Sequence, residues 1–360
     1  MDERILSLSD GSRLHWLEKD PALFLDQTIA IYGRRKSGKS TMIDDIMYVL
    51  RNDISIVFVV SQTASSTNPY EGKLPKCCVK HNASKEWLES LVNNQKKRAL
   101  IYNTANNEKI LESLFKKIQS PTASAMQKSI ILKANQKLQT LEQSTLQFAV
   151  KRLQKQEIQK IMRKAILTLY KKEIANFSHQ LLARKDLTTQ ERIAIQYLNF
   201  NPRVLLVFDD CASVFKKWTK ESPLINEIFY NGRWLFFTVI ISTQTDKVVS
   251  TELRGNAMIN IFTNKEAAIT NFNRNSNGYT KEDRQRAATC VEMVFGSSHD
   301  DHNHKKLVYL PFVDGDLFRY TVADIHDAFQ MCSPIVWELD NGSDQGGQDS
   351  EAILHSFLGS

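Results

Sequence analysis

The chain has 360 residues, of which 42% are hydrophobic and 24% charged, and its formal net charge is +7. This composition is typical of a protein that buries a core, and the length suits two average domains or one large α/β domain with insertions. The longest apolar run, near residues 235–241, is far below the roughly 20 residues of a membrane-spanning helix, so no membrane span is predicted.

The N-terminus is acidic and lacks the apolar segment of a secretory signal. Five cysteines occur without any framework spacing, which predicts a reduced, intracellular protein.

Short apolar runs bounded by polar residues predict the strands of a parallel sheet, because strands that are covered on both faces have few polar residues. The predicted strands are residues 27–32, 54–60, 98–102, 203–210, 234–242 and the short segment 258–262. Helices are predicted at residues 39–51, 223–230 and 281–295. Residues 307–312 and 317–322 flank a Val-Asp-Gly-Asp turn and predict a hairpin.

The middle of the chain is predicted to be helical and basic. No glycine occurs between Gly72 and Gly232, and apolar residues recur at spacings of three and four, which predicts two or three helices. Residues 128–185 contain thirteen Lys or Arg and three Glu, a net charge of +10. A polyanionic partner would bind this segment, and nucleic acid is the expected one.

Residues 33–40, GRRKSGKS, match the pattern G-x-x-x-x-G-K-[ST] between a predicted strand and a predicted helix. Glycines let the backbone wrap a phosphate with successive N–H groups at the helix N-terminus, whereas a chance match in a turn would lack these flanks. Lys39 is expected to reach the β- and γ-phosphates of ATP, and Ser40 to bind Mg²⁺. The predicted nucleotide-binding residues are Gly33, Arg34, Arg35, Lys36, Ser37, Gly38, Lys39, Ser40 and Thr41.

The predicted strand VLLVFDD ends in two carboxylates. Asp209 is predicted to bind the hydrated Mg²⁺ together with Ser40, because a phosphate loop needs a carboxylate at the end of a hydrophobic strand. Asp210 is the candidate that orients or deprotonates the attacking water. Two solvated acids at a strand end are the alternative.

Polar and cationic residues surround the next strand. Gln244, in Ser-Thr-Gln at its end, is predicted to sense the γ-phosphate or to position water. Arg254 follows ten residues later and is predicted to reach the nucleotide of a neighbouring subunit, with Arg233 as the second candidate for this role. The predicted catalytic residues are therefore Lys39, Asp210, Gln244 and Arg254.

Six segments together resemble the genome-packaging ATPases of large nucleocytoplasmic DNA viruses, which belong to the FtsK–HerA class of translocases. The segments are GRRKSGKS, SQTASSTNPY, VLLVFDDC, NGRW, STQ and ELRGN, within about residues 27–295. The family usually has histidine where this chain has Trp234, and ring translocases usually have glutamate where it has Asp210.

The resemblance implies an α/β fold of the P-loop NTPase (ASCE or RecA-like) type, a mostly parallel sheet flanked by helices. The long basic helical insertion is predicted from composition and spacing and matches no motif of the family. The expected domains are an N-terminal segment (1–26), two parts of the ATPase core (27–120 and 201–330), the insertion (121–200) and an acidic, glycine-rich tail (331–360).

The resemblance also implies an ATP-hydrolysing motor, with ATP and Mg²⁺ as cofactors, that translocates double-stranded viral DNA into a preformed capsid. Its partners would be DNA, further copies of the chain in a ring of five or six subunits, and capsid or portal-vertex proteins. It would act at assembly sites in the host cytoplasm and be present in the virion. The candidate DNA contacts are Lys151, Arg152, Lys155, Lys160, Arg163, Lys164, Lys171 and Lys172.

Several alternatives stay open from the residues alone. The basic segment could instead contact a capsid protein or be a plain solvated face. The enzyme could be a DNA-stimulated, helicase-like translocase of replication or segregation, or a P-loop phosphotransferase, which would need an acceptor pocket. A non-catalytic clamp or scaffold would not need Lys39 or Asp209. The run HDDHNH at residues 299–304 matches no closed zinc site and is predicted to be a solvated loop.

Overall fold

The computed structural model describes residues 4–62, 69–81, 83–211, 223–296, 304–313 and 315–343. The chain divides into two compact units, one made of Met1–Lys96 with Asn201–Ser360 and the other of Lys97–Phe200. The second unit is the helical insertion, and it begins earlier than the expected boundary at residue 121.

The described helices, in chain order, are α1 (Pro21–Phe24), α2 (Lys39–Leu50), α3 (Lys85–Ala105), α4 (Glu108–Ile118), α5 (Pro121–Gln143), α6 (Phe148–Asn176), α7 (Ser178–Leu182), α8 (Thr189–Gln196), α9 (Pro223–Asn231), α10 (Thr251–Gly255), α11 (Lys265–Asn273), α12 (Lys281–Phe295) and α13 (Pro334–Ser343). Short 3₁₀ helices occur at Lys76–Cys78, Gly232–Leu235, Asp246–Val248 and Asn275–Asn277.

The first unit is built on one sheet, which has ten strands in the described part of the chain. They are β1 (Ile5–Ser7), β2 (Arg13–Trp16), β3 (Thr28–Tyr32), β4 (Ile56–Ser61), β5 (Val79–Lys80), β6 (Val204–Asp209), β7 (Phe237–Thr243), β8 (Ile259–Phe262), β9 (Lys305–Tyr309) and β10 (Phe318–Val322). Their order in space is β1-β2-β10-β9-β8-β3-β7-β6-β4-β5. The six strands from β8 to β5 are mutually parallel, and β9 pairs antiparallel with β8.

The order of the parallel strands identifies the fold. Strand β3, which leads into the glycine-rich loop, lies between β8 and β7, and β7 separates it from β6, which ends in Asp209. One strand inserted between the phosphate-loop strand and the strand of the metal-binding carboxylate is the arrangement of ASCE or RecA-like P-loop NTPases. The predicted fold class, a mostly parallel P-loop sheet flanked by helices, is confirmed.

Both faces of the central sheet are covered. Every residue of β3, β4, β6 and β7 is buried. On one face α2 packs Met42, Ile43 and Ile46 against the strands, and on the other face Leu88 and Ile228 do so. Because the strand interiors are closed to water, chemistry is confined to the side chains at the strand ends.

The predicted strand at residues 98–102 is wrong, because these residues lie within helix α3. The run Ala-Leu-Ile-Tyr is too short to distinguish a strand from a buried helical segment, and the surrounding Lys, Gln, Asn and Arg continue the helix. The strand predicted from residue 234 begins instead at Phe237, since Gly232–Leu235 forms a 3₁₀ helix.

The second unit has its own apolar core. Leu111 and Leu114 of α4 pack against Tyr170 and Ile174 of α6 and against Ile195 of α8. The helices α5 and α6 form a hairpin, and most residues of its distal half are exposed. The second unit begins at residue 97 rather than at the expected residue 121, and α4 supplies part of its core.

The expected acidic tail is helical in part, since residues 334–343 form α13. Asp340 of this helix accepts hydrogen bonds from the N–H groups of Lys76 and Cys77, both at 2.8 Å, and so caps the 3₁₀ helix Lys76–Cys78. The end of the tail, from residue 344, lies outside the described residues. Within the described ranges, none of the helices has both the length and the hydropathy needed to cross a bilayer.

A buried carboxylate fixes the loop that follows β7. The Asp246 side chain is only 3% exposed, and both of its oxygens accept hydrogen bonds from Arg274 at 2.7 Å. The amides of Asn271 and Asn277 lie 3.4 Å from the same carboxylate. This network ties α11 to the segment that carries the predicted sensor.

Asp246→Ala should destabilise the protein by about 3 kcal/mol, because it leaves a largely buried guanidinium without its carboxylate. Chemical denaturation measures the change. Glu18→Ala is the control, since the Arg4–Glu18 pair is 66% and 72% exposed and should contribute less than about 1 kcal/mol. Equal losses in the free energy of unfolding for the two variants would contradict a stabilising role of the buried Asp246–Arg274 pair.

Candidate nucleotide-binding site

Three predicted motifs meet at the carboxyl-terminal edge of the sheet. In the strand register Ile31 lies opposite Ser242, and Ser242 lies opposite Asp209. The Gly33 N–H donates to Thr243 O at 3.1 Å, and the Asp210 N–H donates to Ser242 O at 3.1 Å. The phosphate loop, the sensor segment and the two carboxylates therefore start from adjacent rows of one sheet, where ligands of α/β proteins bind.

The loop itself ends at the first turn of α2. Gly38 caps the helix with φ of +87°, a left-handed conformation that favours glycine, and Lys36 has φ of +62°. Lys39 is buried, and its ammonium donates to the carbonyl oxygens of Gly33 at 3.0 Å and Arg34 at 3.1 Å. The predicted phosphate cation is thus enclosed by the loop that it is expected to serve.

The other predicted loop residues lie around this cation. Ser40 is exposed in the first helical turn, and Thr41 is half-buried. Arg34, Arg35 and Lys36 are exposed. The side chains of Arg34, Arg35 and Lys36 are therefore accessible to a polyphosphate at the N-terminus of α2.

Two residues after β8 brace the loop, and sequence analysis missed both. A β-carbon at Gly33 would lie 1.8 Å from Thr263 Oγ1, so only glycine fits this position. Thr263 Oγ1 is 2.5 Å from Ser37 Oγ, and Asn264 Oδ1 accepts a hydrogen bond from the Arg34 N–H at 3.1 Å. The signal available in the sequence was the polar pair Thr-Asn directly after a buried strand.

Asp209 is a buried carboxylate in contact with a second residue that sequence analysis did not assign. It is 6% exposed, and the buried Tyr70 donates a hydrogen bond from its hydroxyl to Asp209 Oδ2 at 3.1 Å. Burial raises the pKa of Asp209 and the charge of Asp210 raises it further, while the hydroxyls of Ser242 and Tyr70 and the charge of Lys39 lower it. The loop that carries Lys39 and the strand that ends in Asp209 lie at the same edge of the sheet, with β7 between β3 and β6.

Asp210 has a different environment from its neighbour. It is half-exposed, and its φ of +49° is left-handed, a conformation that Asp tolerates better than most residues. The backbone thus leaves the strand at this residue. One carboxylate is enclosed and the next can meet water.

The structure separates the two candidate arginines. Arg254 donates to Asp246 O at 2.8 Å, Val249 O at 2.6 Å and Asn277 Oδ1 at 2.8 Å, all within its own chain. Arg233 is exposed at the other end of β7, beside Trp234, which is 78% exposed. Gln244 is exposed at the nucleotide end of β7.

Oxygen donors that suit Mg²⁺ are present at the loop. The Ser40 hydroxyl and the Asp209 carboxylate are the hard ligands that this ion prefers, and the raised pKa of Asp209 reflects a buried carboxylate without full compensation. In the described residues a second group, Asp45, Asp324 and His326, has metal-ligand spacing. There the Lys19 ammonium, 2.6 Å from Asp45 Oδ2, already supplies the cation.

The predicted nucleic-acid residues all lie on α6, but they are not equivalent. Arg163 pairs with Glu108, and Lys171, whose pKa burial lowers, donates to Asn106. Lys151 donates to Glu142 O at 2.9 Å, Lys155 lies 3.8 Å from the Glu142 carboxylate, and Lys160 lies 3.8 Å from Glu157. The described contacts include no ion pair for Arg152, Lys164 or Lys172.

Some predicted features lie outside the described residues. They are residues 63–68 of the SQTASSTNPY segment and residues 299–303 of HDDHNH.

A RecA-like sheet whose glycine-rich loop faces a strand-end carboxylate defines the class of P-loop NTPases. The chain belongs to the family of protein B354L of African swine fever virus. It is 31% identical to B354L of isolate Pig/Kenya/KEN-50/1950 over 323 residues, which cover 85% of this chain and 84% of that protein. It is 30% identical, with the same coverage, to B354L of strain Badajoz 1971 Vero-adapted. No protein-family model matches the chain.

Solved structures similar to the chain include the genome-packaging NTPase B204 from Sulfolobus turreted icosahedral virus 2 in complex with AMP, at 13% identity and a TM-score of 0.39, covering 86% of this chain and 100% of B204. The plasmid coupling protein TrwB in complex with ADP and Mg²⁺ is 12% identical at a TM-score of 0.34, with 86% of each chain covered. The solved structures similar to this chain thus include a viral genome-packaging NTPase and a plasmid coupling protein, in agreement with the resemblance inferred from the motifs.

Tyr70→Phe removes the hydroxyl that donates to Asp209. Because this hydrogen bond lowers the pKa of Asp209, its loss raises that pKa, and protons would then compete at higher pH with the Mg²⁺ that Asp209 is predicted to bind. We expect the acid limb of ATP turnover to move up by about 0.5–1 pH unit and the half-saturating Mg²⁺ concentration to rise about 3–10-fold.

Steady-state turnover against pH and Mg²⁺ concentration tests this prediction. Tyr279→Phe is the control, since the Tyr279 hydroxyl donates to Asn271 instead. An unchanged Mg²⁺ requirement in Tyr70→Phe would contradict the positioning of Asp209 by Tyr70.

Proposed function

We propose that the chain is an ATP-hydrolysing motor that translocates double-stranded viral DNA into a preformed capsid. The observation that carries the proposal is that the glycine-rich loop with Lys39 and the strand-end carboxylate Asp209 lie at one edge of the sheet, after β3 and at the end of β6. A triphosphate with its metal needs both a cation and a carboxylate at one site. The six sequence segments that resemble packaging ATPases support the specific cargo.

The residues of the site have distinct roles in this proposal. Lys39 and the N–H groups of the loop bind the phosphates of ATP, and Ser40 and Asp209 hold Mg²⁺. The ion would neutralise charge on the phosphates. Asp210, half-exposed at the end of β6, orients or deprotonates the attacking water, and Gln244 contacts the γ-phosphate or the water.

The arginine that acts between subunits is proposed to be Arg233. Its exposure leaves it available to another copy of the chain, whereas the guanidinium of Arg254 already donates five hydrogen bonds within its own chain. Arg254 stays the second candidate. A ring of five or six subunits would bring such an arginine to each nucleotide, and the exposed Trp234 would lie at the same interface.

Lys39→Ala should abolish ATP binding or turnover, because it removes the cation on the phosphates. Asp210→Asn should bind ATP within about threefold of wild type while kcat falls by about 10²-fold or more. ATP turnover and nucleotide affinity are measured for both variants, with and without duplex DNA, together with particle size. Full turnover by Asp210→Asn would contradict the proposal that Asp210 orients or deprotonates the attacking water. ATP turnover that DNA does not change would favour the phosphotransferase alternative.

The α5–α6 hairpin is proposed to bind the DNA backbone. Lys160 and Lys164 are one turn apart on α6, are both exposed, and would contact phosphates without reading bases. Contact through phosphates suits a motor that must move any sequence. Arg163 and Lys171 are weaker candidates, since each already contacts another part of its own unit.

A protein contact is the second candidate for the hairpin. Phe148 and Leu153 are 82% and 66% exposed, and Leu132 and Ile161 are exposed as well. Apolar side chains contribute nothing to phosphate binding, so these residues favour an additional contact with a capsid or portal-vertex protein. Both contacts would occur at assembly sites in the host cytoplasm, and the second would carry the protein into the virion.

Lys160→Gln with Lys164→Gln should weaken DNA binding and make it less dependent on salt. The magnitude of the slope of log affinity against log salt should decrease by about 0.9 for each phosphate that the variant no longer neutralises. Fluorescence anisotropy with duplex DNA from 50 to 200 mM salt measures the slope. Lys109→Gln with Lys281→Gln is the control, because it removes the same charge from exposed positions elsewhere. An unchanged slope in the first variant would assign the hairpin to the protein contact.

A further inference from the structure

A second buried lysine, Lys306, lies at the phosphate loop. It is the second residue of β9 and is only 5% exposed. Its ammonium donates to the carbonyl oxygen of Ser37 at 3.0 Å. No sequence motif includes this residue, which is more than 260 positions from the loop that it contacts.

The sheet topology brings Lys306 to the nucleotide edge. Because β9 runs antiparallel to β8, its first residues lie beside the end of β8, where Phe262 pairs with Leu307. Lys306 therefore lies next to Thr263, which contacts Ser37. Residues of a strand alternate between faces, so Lys306 shares the face of Val308, which packs in the same core as α2.

The contact fixes one peptide of the loop. In a trans peptide the C=O and the following N–H point in opposite directions. With Ser37 O bound to Lys306, the Gly38 N–H points away from Lys306. A β-carbon at Gly38 would lie 3.0 Å from Lys306 Nζ, so the ammonium also packs directly against this residue.

The charge of Lys306 is not compensated by the described residues. An ammonium has three donors, yet the described contacts give it one acceptor and no ion pair. Burial lowers the pKa of Lys306. The N-terminus of α2 adds partial positive charge nearby, so this arrangement is unfavourable until an anion arrives.

We propose that Lys306 is a positioning residue of the phosphate site, which holds the Ser37–Gly38 peptide so that the Gly38 N–H faces a bound polyphosphate. The polyphosphate supplies the negative charge that the described residues do not. The ligand class is a nucleoside di- or triphosphate with Mg²⁺, since a monophosphate has no β-phosphate to place in the loop. The inference rests on the proposed function, because it requires that the loop binds such a nucleotide.

Lys306→Met tests the inference, because methionine keeps the length of the side chain and removes its charge and donors. We expect the affinity for ADP with Mg²⁺, measured by isothermal titration calorimetry, to fall about tenfold, with a smaller loss for AMP. The kcat at saturating ATP should change by less than about threefold, and Lys306→Arg should restore the ADP affinity to within about threefold. Lys305→Met, on the neighbouring residue of β9, is the matched control and should bind ADP as wild type does.

Thermal unfolding without nucleotide separates positioning from a structural role. Removing an uncompensated buried charge should leave the Tm of Lys306→Met equal to or above that of wild type, while the increase in Tm on adding ADP becomes smaller. A Lys306→Met variant that is less stable without nucleotide, or that binds ADP as wild type does, would overturn the inference. Full ADP affinity in Lys39→Ala would contradict the proposed phosphate site itself. If Lys39→Ala lost ADP affinity and Lys306→Met did not, the phosphate site would stand and only the role of Lys306 would be contradicted.

Discussion

The site depends on one constraint: a buried cation, Lys39, and a buried carboxylate, Asp209, come to the same edge of the sheet from two segments that β7 separates. Neither group could be buried alone at low cost, because an isolated charge in the protein interior loses its hydration. The parallel sheet solves this by ending β3, β7 and β6 at one edge, so that the loop cation and the strand-end carboxylate come from different segments. At this edge a bound metal would be attracted to the carboxylate, and a bound triphosphate to the cation.

The same edge also collects like charges. Asp209 and Asp210 are adjacent carboxylates, and burial and mutual repulsion raise the pKa of Asp209. On the opposite side, Lys39, Lys306 and the N-terminus of α2 are all positive. Each group of like charges is unfavourable by itself. The carboxylates complement the metal of a magnesium–nucleotide complex, and the cations complement its phosphates. The electrostatic repulsion within each group therefore destabilises the site, and a bound ligand would relieve it.

Local sequence patterns were sufficient for the motifs and for most of the sheet. The glycine-rich loop, the strand that ends in Asp209 and the hairpin of β9 and β10 were all predicted near their observed bounds. Residues 98–102 failed because four apolar residues have no distinguishable period, and the neighbouring residues decided in favour of helix α3. The predicted domains assign α4 to the ATPase core, whereas in the structure α4 packs against α6 and α8, a contact between distant segments that no local pattern specifies.

The sequence by itself determined the phosphate loop and the two carboxylates, because each depends on residue types at fixed local spacing on a strand or at a helix start. Only the tertiary structure decided which residues support them. Tyr70, Thr263 and Lys306 contact the site from segments far apart in the chain, and Arg254 is held within its own subunit. A hydrogen bond across a sheet edge is fixed by strand order and register, and these are set by the burial of whole strands rather than by any local pattern.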